Sequence, residues 1–171
     1  RYWIDPSGKY HEGHPEEVRR GELEAAEEAC VNMMDFRVGN ETESWFQNID
    51  LVERFIRHGG YRLYPSQVIV PQEAKSGETL TLTHTWENIG WGYCPNNIRQ
   101  WNHRFKPSFA LIAEDGTVAR IFVDTKAEPY DWMRNKPVGY SMSVSLEGVA
   151  PGSYSWAVAI SDTEKGNLPG P

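Results

Sequence analysis

TLTLTHTW occupies residues Thr79 to Trp86, and ENIGWGYC carries it on to Cys94. In an extended chain Leu80, Leu82, His84 and Trp86 fall on one face, and Thr79, Thr81, Thr83 and Thr85 fall on the other. A period of two with threonine on the wet side predicts a half-buried β-strand. A strand face of Leu and Trp is a large apolar patch unless a second layer covers it. The region from Tyr61 to Ser161 reads as that cover.

Further strands follow on both sides. Tyr61–Val70 precedes a turn at Pro71–Glu78, and Ser108–Glu114 and Thr117–Asp124 flank Asp115-Gly116, a hairpin signal. Tyr140–Leu146 sets Met142 and Val144 against Ser141, Ser143 and Ser145, and Ser153–Ser161 sets Tyr154, Trp156, Val158 and Ile160 on one side. Six strands with one apolar and one Ser/Thr face predict an antiparallel, immunoglobulin-like β-sandwich. Leu80, Leu82, Trp86, Tyr154, Trp156 and Val158 are expected to form one inter-sheet core.

The first sixty residues read differently. Arg1–Asp5 is β-prone, and Pro15 begins a helix running to about Cys30, with Glu16 and Glu17 at its positive end. Cys30–Val38 is expected as a short buried strand, although periodicity alone does not separate it from continued helix. Trp45, Ile49, Val52 and Ile56 mark one face of a helix from Ser44 to His58, with Ser44 and Gln47 as a capping box and Gly59-Gly60 as the stop. This predicts an α/β unit over 1–59, ordered strand, helix, strand, helix, and a β-sandwich over 60–171.

The net charge of −7 comes with scattered Lys and Arg, so no basic stripe offers itself to nucleic acid. No apolar run approaches the roughly 20 residues of a membrane span. Cys30 and Cys94 are too few for a disulfide framework, and the sequence leaves their pairing open. Seven Trp, eight Tyr and six Phe are many, and several stand in segments that read as loops.

Five short motifs follow one another along the chain: Gly60-Tyr61-Arg62-Leu63, Trp86-Glu-Asn88-Ile-Gly90, Ala113-Glu-Asp-Gly116, Asp131-Trp132, and Val149-Ala-Pro-Gly152-Ser-Tyr154. Over residues 59–166 their order resembles the all-β domain of unknown function that follows the (β/α)8 barrel in secreted bacterial glycoside-hydrolase-like proteins. The resemblance implies that Ser44–His58 is the last barrel helix, Cys30–Val38 the last barrel strand, Pro15–Ala29 the preceding helix and Tyr2–Asp5 a strand before it. It also implies truncation at both ends, a sandwich lacking its last strand, an extracellular or periplasmic location, and a barrel of the same parent chain as partner.

Glycosidases need two carboxyl groups across the sugar, and barrels place them at strand ends. Asp5, Glu12 and Asp35 lie near such places, and Glu12 in Tyr10-His-Glu-Gly-His14 is the best of them against a bland reading as a solvated loop acid. His11, Glu12 and His14 lack the spacing of a helical zinc motif, so no metal is assigned, and no cofactor motif is found. His84, on an apolar strand face, reads as a hydrogen-bonded core histidine.

In the loop from Asn88 to Arg104, Trp91, Tyr93 and Trp101 are interleaved with Asn97 and Arg99, and a second loop adds Tyr130 and Trp132. Rings beside amide and guanidinium donors suit sugars, whose C–H faces stack while hydroxyls take hydrogen bonds. The competing reading is that these rings pack under the loops. The sequence therefore points first to a non-catalytic accessory sandwich that supports a barrel and binds polysaccharide or oligosaccharide. A glycoside hydrolase drawing active groups from residues 1–40 and an immunoglobulin-like adhesion module are its rivals.

Overall fold

The structure, a computed structural model, describes residues 2–4, 7–12, 16–36 and 40–169. Its contacts divide the chain into two compact units, one formed by Arg1–Leu63 with Asn88–Tyr93 and the other by Tyr64–Glu87 with Cys94–Pro171.

In the first unit β1 (Tyr2–Ile4) pairs antiparallel with β2 (Tyr10–Glu12), and α1 (Glu16–Glu28), α2 (Asn40–Phe46) and α3 (Ile49–His58) follow. Among the described residues the order is hairpin and three helices, where strand, helix, strand, helix was expected. No strand forms among the described residues of Cys30–Val38. Cys30 adopts φ 54°, Val31 N–H donates to Ala26 C=O at 3.0 Å and Cys30 N–H to Glu27 C=O at 3.1 Å. Those two bonds are a Schellman stop, which turns the chain out of the helix before any ladder forms.

The expected helix from Ser44 to His58 is two helices. Asn48, between them, makes no side-chain cap to α3. Its Oδ1 accepts from Nε of the buried Arg19 at 2.8 Å. The interruption resets the helical phase, so Trp45, Leu51 and Phe55 turn inward while Ile56 is 64% exposed. Leu23, Trp45, Leu51 and Trp91 form this unit's core, with Phe36 and Phe55 packed edge-on against their neighbours.

Residues 88–93 are seated in the first unit by backbone bonds. Trp91 N–H donates to His58 C=O at 2.7 Å, and Gly92 N–H donates to Gly60 C=O at 2.8 Å. A Cβ at Gly90 would lie 2.1 Å from the Gly60 oxygen, and one at Gly92 would lie 1.9 Å from Asn32 Oδ1, so both positions need glycine. Asn88 Oδ1 accepts from Arg62 N–H at 3.0 Å and Gly90 N–H at 2.9 Å, while its Nδ2 donates to Gly92 C=O at 2.7 Å.

The second unit carries two antiparallel sheets packed as a sandwich. One has the order β3 (Leu63–Ile69), β4 (Thr79–Asn88), β7 (Val138–Ser145). The other has the order β6 (Val118–Val123), β5 (Phe105–Ala113), β8 (Tyr154–Asp162), β9 (Leu168–Pro169). The short β9 pairs Leu168 with Asp162 and Pro169 with Ser161. In β4 the alternation holds from Leu80 to Asn88, with every second residue buried.

Leu80, Leu82, Phe109, Leu111, Phe122 and Val144, drawn from both sheets, make the inter-sheet core, and Tyr154 and Trp156 pack against it half-buried. Two residues expected in that core lie elsewhere: Val158 is 39% exposed, and Trp86 belongs to an aromatic group further along β4. The Asp115-Gly116 turn closes with Gly116 at φ 85° and Asp115 Oδ1 accepting from Thr117 N–H at 2.9 Å.

Candidate functional site

Register places the two ends of the sandwich. Thr79 pairs with Ser145 and Ala113 with Tyr154 at one end; Trp86 pairs with Val138 and Phe105 with Asp162 at the other.

At the Trp86 end the space between the sheets is filled. Trp86 stacks on Trp132 with centroids 4.6 Å apart, and Trp132 Nε1–H donates to the Tyr140 hydroxyl at 2.8 Å. The buried Lys106 ammonium donates to Ala127 C=O at 3.2 Å and pairs with Glu128, which also faces His103 Nδ1 at 3.0 Å. Burial pulls the Glu128 pKa up, but the hydrogen bonds and charges of Lys106 and His103 outweigh it, and the carboxyl stays below its ordinary value.

At the other end the β3–β4 turn and the β7–β8 connection stand apart and leave an open cleft of about 560 Å³. That volume lies within the range of small-molecule sites. Leu80 and Leu111 form its apolar base, the rings of Tyr154 and Trp156 line it, and Gln72, Glu73, Lys75 and Ser153 stand on its rim. Tyr154 enters β8 with its hydroxyl donating to Ala150 C=O at 2.7 Å, which fixes the ring against the connection it follows. The turn is itself held, because Lys75 N–H donates to Glu78 Oε2 at 2.8 Å and Glu78 C=O accepts from Leu146 N–H at 2.8 Å. Aromatic rings beside amide, carboxylate, ammonium and hydroxyl groups suit a ligand with one apolar face and several hydroxyls.

Of the loop residues expected to bind sugar, Trp91 and Tyr93 belong to the first unit and Asn97, Arg99, Trp101, Tyr130 and Trp132 to the second. Trp91 is 2% exposed in the core of the first unit, with Arg54 over its ring at 5.5 Å, and Trp132 is 0% exposed. Neither has a ring face free for a ligand. Tyr93, also in the first unit, is half-buried, and its C=O accepts from Asn32 Nδ2 at 2.9 Å. In the second unit Trp101 packs edge-on to Phe105 at 5.0 Å and Tyr130 edge-on to His103 at 5.7 Å, both half-buried, while Asn97 and Arg99 are exposed. Between them the buried Asn96 holds the loop, exchanging hydrogen bonds with the Phe105 backbone at 2.9 and 3.1 Å.

Glu12 lies on β2, but its side chain and that of His11, like Asp5 and His14 entirely, lie outside the described residues. Asp35 is exposed, and no group of metal-ligating side chains occurs among the described residues. Cys30 and Cys94 are free thiols; burial pushes the Cys94 pKa up to about 11, so this thiol stays protonated and unreactive.

Sequence reasoning assigned Tyr154 and Trp156 to the core and saw only a turn in Pro71–Glu78. The signal that could have found the cleft is the brevity of the two connections at that end. No protein-family model matches the chain, and no curated protein matches it.

Proposed function

We propose that this chain carries a non-catalytic accessory β-sandwich of immunoglobulin-like type that binds carbohydrate in the cleft between the β3–β4 turn and the β7–β8 connection. The observation that carries the reading is the pair of rings, Tyr154 and Trp156, lining an open cleft with a polar rim, Tyr154 being held there by its hydroxyl. A pyranose offers its C–H face to such rings and its hydroxyls to such a rim. Glu73 is the sole carboxyl group among the lining residues, whereas a glycosidase works with two, which supports binding without turnover.

Strand order supports the immunoglobulin-like assignment, with β3, β4 and β7 in the places of strands A, B and E, and β6, β5, β8 and β9 in those of C′, C, F and G. The Tyr154 hydroxyl bonded four residues back, at the start of β8, has the form of a tyrosine corner. A larger α/β body around the first unit would cover Met33 and Phe46, which are 84% and 67% exposed. The barrel of a secreted parent protein is our reading of that body.

Calorimetric titration of the 171-residue chain against a glycan panel, with tryptophan emission followed in parallel, tests the proposal. Saturable binding that is weakened by Trp156→Ala and by Lys75→Met, with no release of reducing sugar, is the expected result. Binding that survives both substitutions, or no response to any glycan, overturns it.

A further inference from the structure

Four rings close a circuit where β4 ends. Trp86 Nε1–H donates to His84 Nδ1 at 2.8 Å, and the other imidazole nitrogen, Nε2, stands 3.1 Å from Asp124 Oδ2. Trp86 stacks on Trp132 at 4.6 Å with 14° between planes, Trp132 bonds the Tyr140 hydroxyl, and Tyr140 stacks back on His84 at 5.3 Å. His84, Trp86, Trp132 and Asp124 are all buried.

An indole N–H only donates, so His84 Nδ1 must present its lone pair. The single imidazole proton is therefore on Nε2, aimed at the Asp124 carboxylate. The second proton of an imidazolium would sit on Nδ1 and meet the indole hydrogen head-on across 2.8 Å. The titratable groups facing the ring are Asp124, from the segment after β6, and Tyr140, from β7; β5 contributes only the neutral ring of Phe109, at 4.8 Å. Asp124 attracts a charged imidazole, but from the side that already donates, so it does not relieve the collision at Nδ1. Burial holds the His84 pKa below its usual value despite the upward pull of Asp124.

We infer that His84 is an acid-released latch: protonation at Nδ1 expels the Trp86 indole, parts the Trp86–Trp132 stack and frees residues 129–137 while both sheets stay folded. Lys106 holds Glu128 independently, which limits the release on that side. Acid thereby uncovers Trp86, Trp132 and Tyr140, which neutral conditions keep between the sheets.

Opening takes up one proton, so the open fraction rises by about tenfold per pH unit below the usual histidine value of about 6.5, until the closed ring itself titrates. Amide exchange of residues 130–136 in the full chain, corrected for intrinsic rates between about pH 7.5 and about pH 5, reads this slope. His84→Gln keeps both bonds, Oε1 accepting from Trp86 and Nε2 donating to Asp124, and does not titrate. The expected result is the tenfold slope in the parent chain with β4, β5 and β8 still protected, and a flat profile in the variant. Protection that stays flat until the whole sandwich unfolds, or the same slope in both proteins, overturns the inference. Should the variant not fold, ring-nitrogen NMR of the parent chain decides: the Trp86 indole signal must shift together with His84 protonation, and an unmoved signal overturns the latch.

Discussion

The two ends of the sandwich start from the same materials and finish differently. At the end where β4 stops, the connection 124–137 is long and brings in Trp132, which with Trp86, Tyr140 and His84 fills the space between the sheets. At the end where β4 starts, the connections 70–78 and 146–153 are short, and Tyr154 and Trp156 are left lining an open cleft. Trp86 and Trp156 each lie on the face that strand alternation directs toward the opposite sheet. One is buried and the other half-buried because what covers a strand end is the loop beyond it, a matter of loop length and path. An inward-facing aromatic is thus a candidate for packing or for ligand contact according to its distance from a covered end.

The comparison can be broken by measuring what each ring contributes to stability. Trp132→Ala, which empties a fully buried ring site, should cost about 3 to 5 kcal/mol in denaturant unfolding. Trp156→Ala should cost about half as much, since part of this ring already faces water. Equal losses would mean that the cleft end is as closed as the other.

Acid should act on the filled end. Because the folded-state pKa of His84 lies below its unfolded value, the unfolded chain binds the proton first as pH falls. The stability tied to neutral His84 is complete above about pH 6.5 and is lost below it, by at most about 1.4 kcal/mol per pH unit, until the folded-state ring titrates. Comparing the pH dependence of unfolding in the parent chain and in His84→Gln isolates this contribution from the other histidines, and a slope that the substitution leaves unchanged would contradict the assignment.

Smaller effects sharpen the open end. Tyr154→Phe deletes the bond to Ala150 and should cost about 0.5 to 1.5 kcal/mol, with the cleft otherwise intact. Lys75→Met, on the rim, should leave the melting temperature unchanged while lowering affinity for glycans. A fall in melting temperature there would recast the rim as structural.

What the residues determined by themselves is the sandwich. Strict alternation in Thr79–Trp86 and again in Tyr140–Ser145 declares a covered sheet face, because a period of two leaves no other way to bury Leu, Trp and Val. Those strands pair in register from Thr79↔Ser145 to Trp86↔Val138. His84 was also legible, since a histidine on an apolar strand face needs hydrogen-bond partners, though the sequence did not say which.

Tertiary structure decided the rest, for reasons that act across long separations in the chain. Arg19 claims the Asn48 side chain from 29 residues away and splits the expected helix, which no window of local periodicity reports. Trp91 looks like an exposed loop aromatic until His58, Gly60 and Arg62 bond the backbone around it and draw its ring into the core of the first unit. The cleft is the same kind of result: Tyr154 and Trp156 are fixed by the pattern of their strand, but whether their rings meet protein or solvent depends on two turns that come together only in three dimensions. Local residue patterns carry side-chain direction along a strand, and they carry no information on what the rest of the chain places opposite.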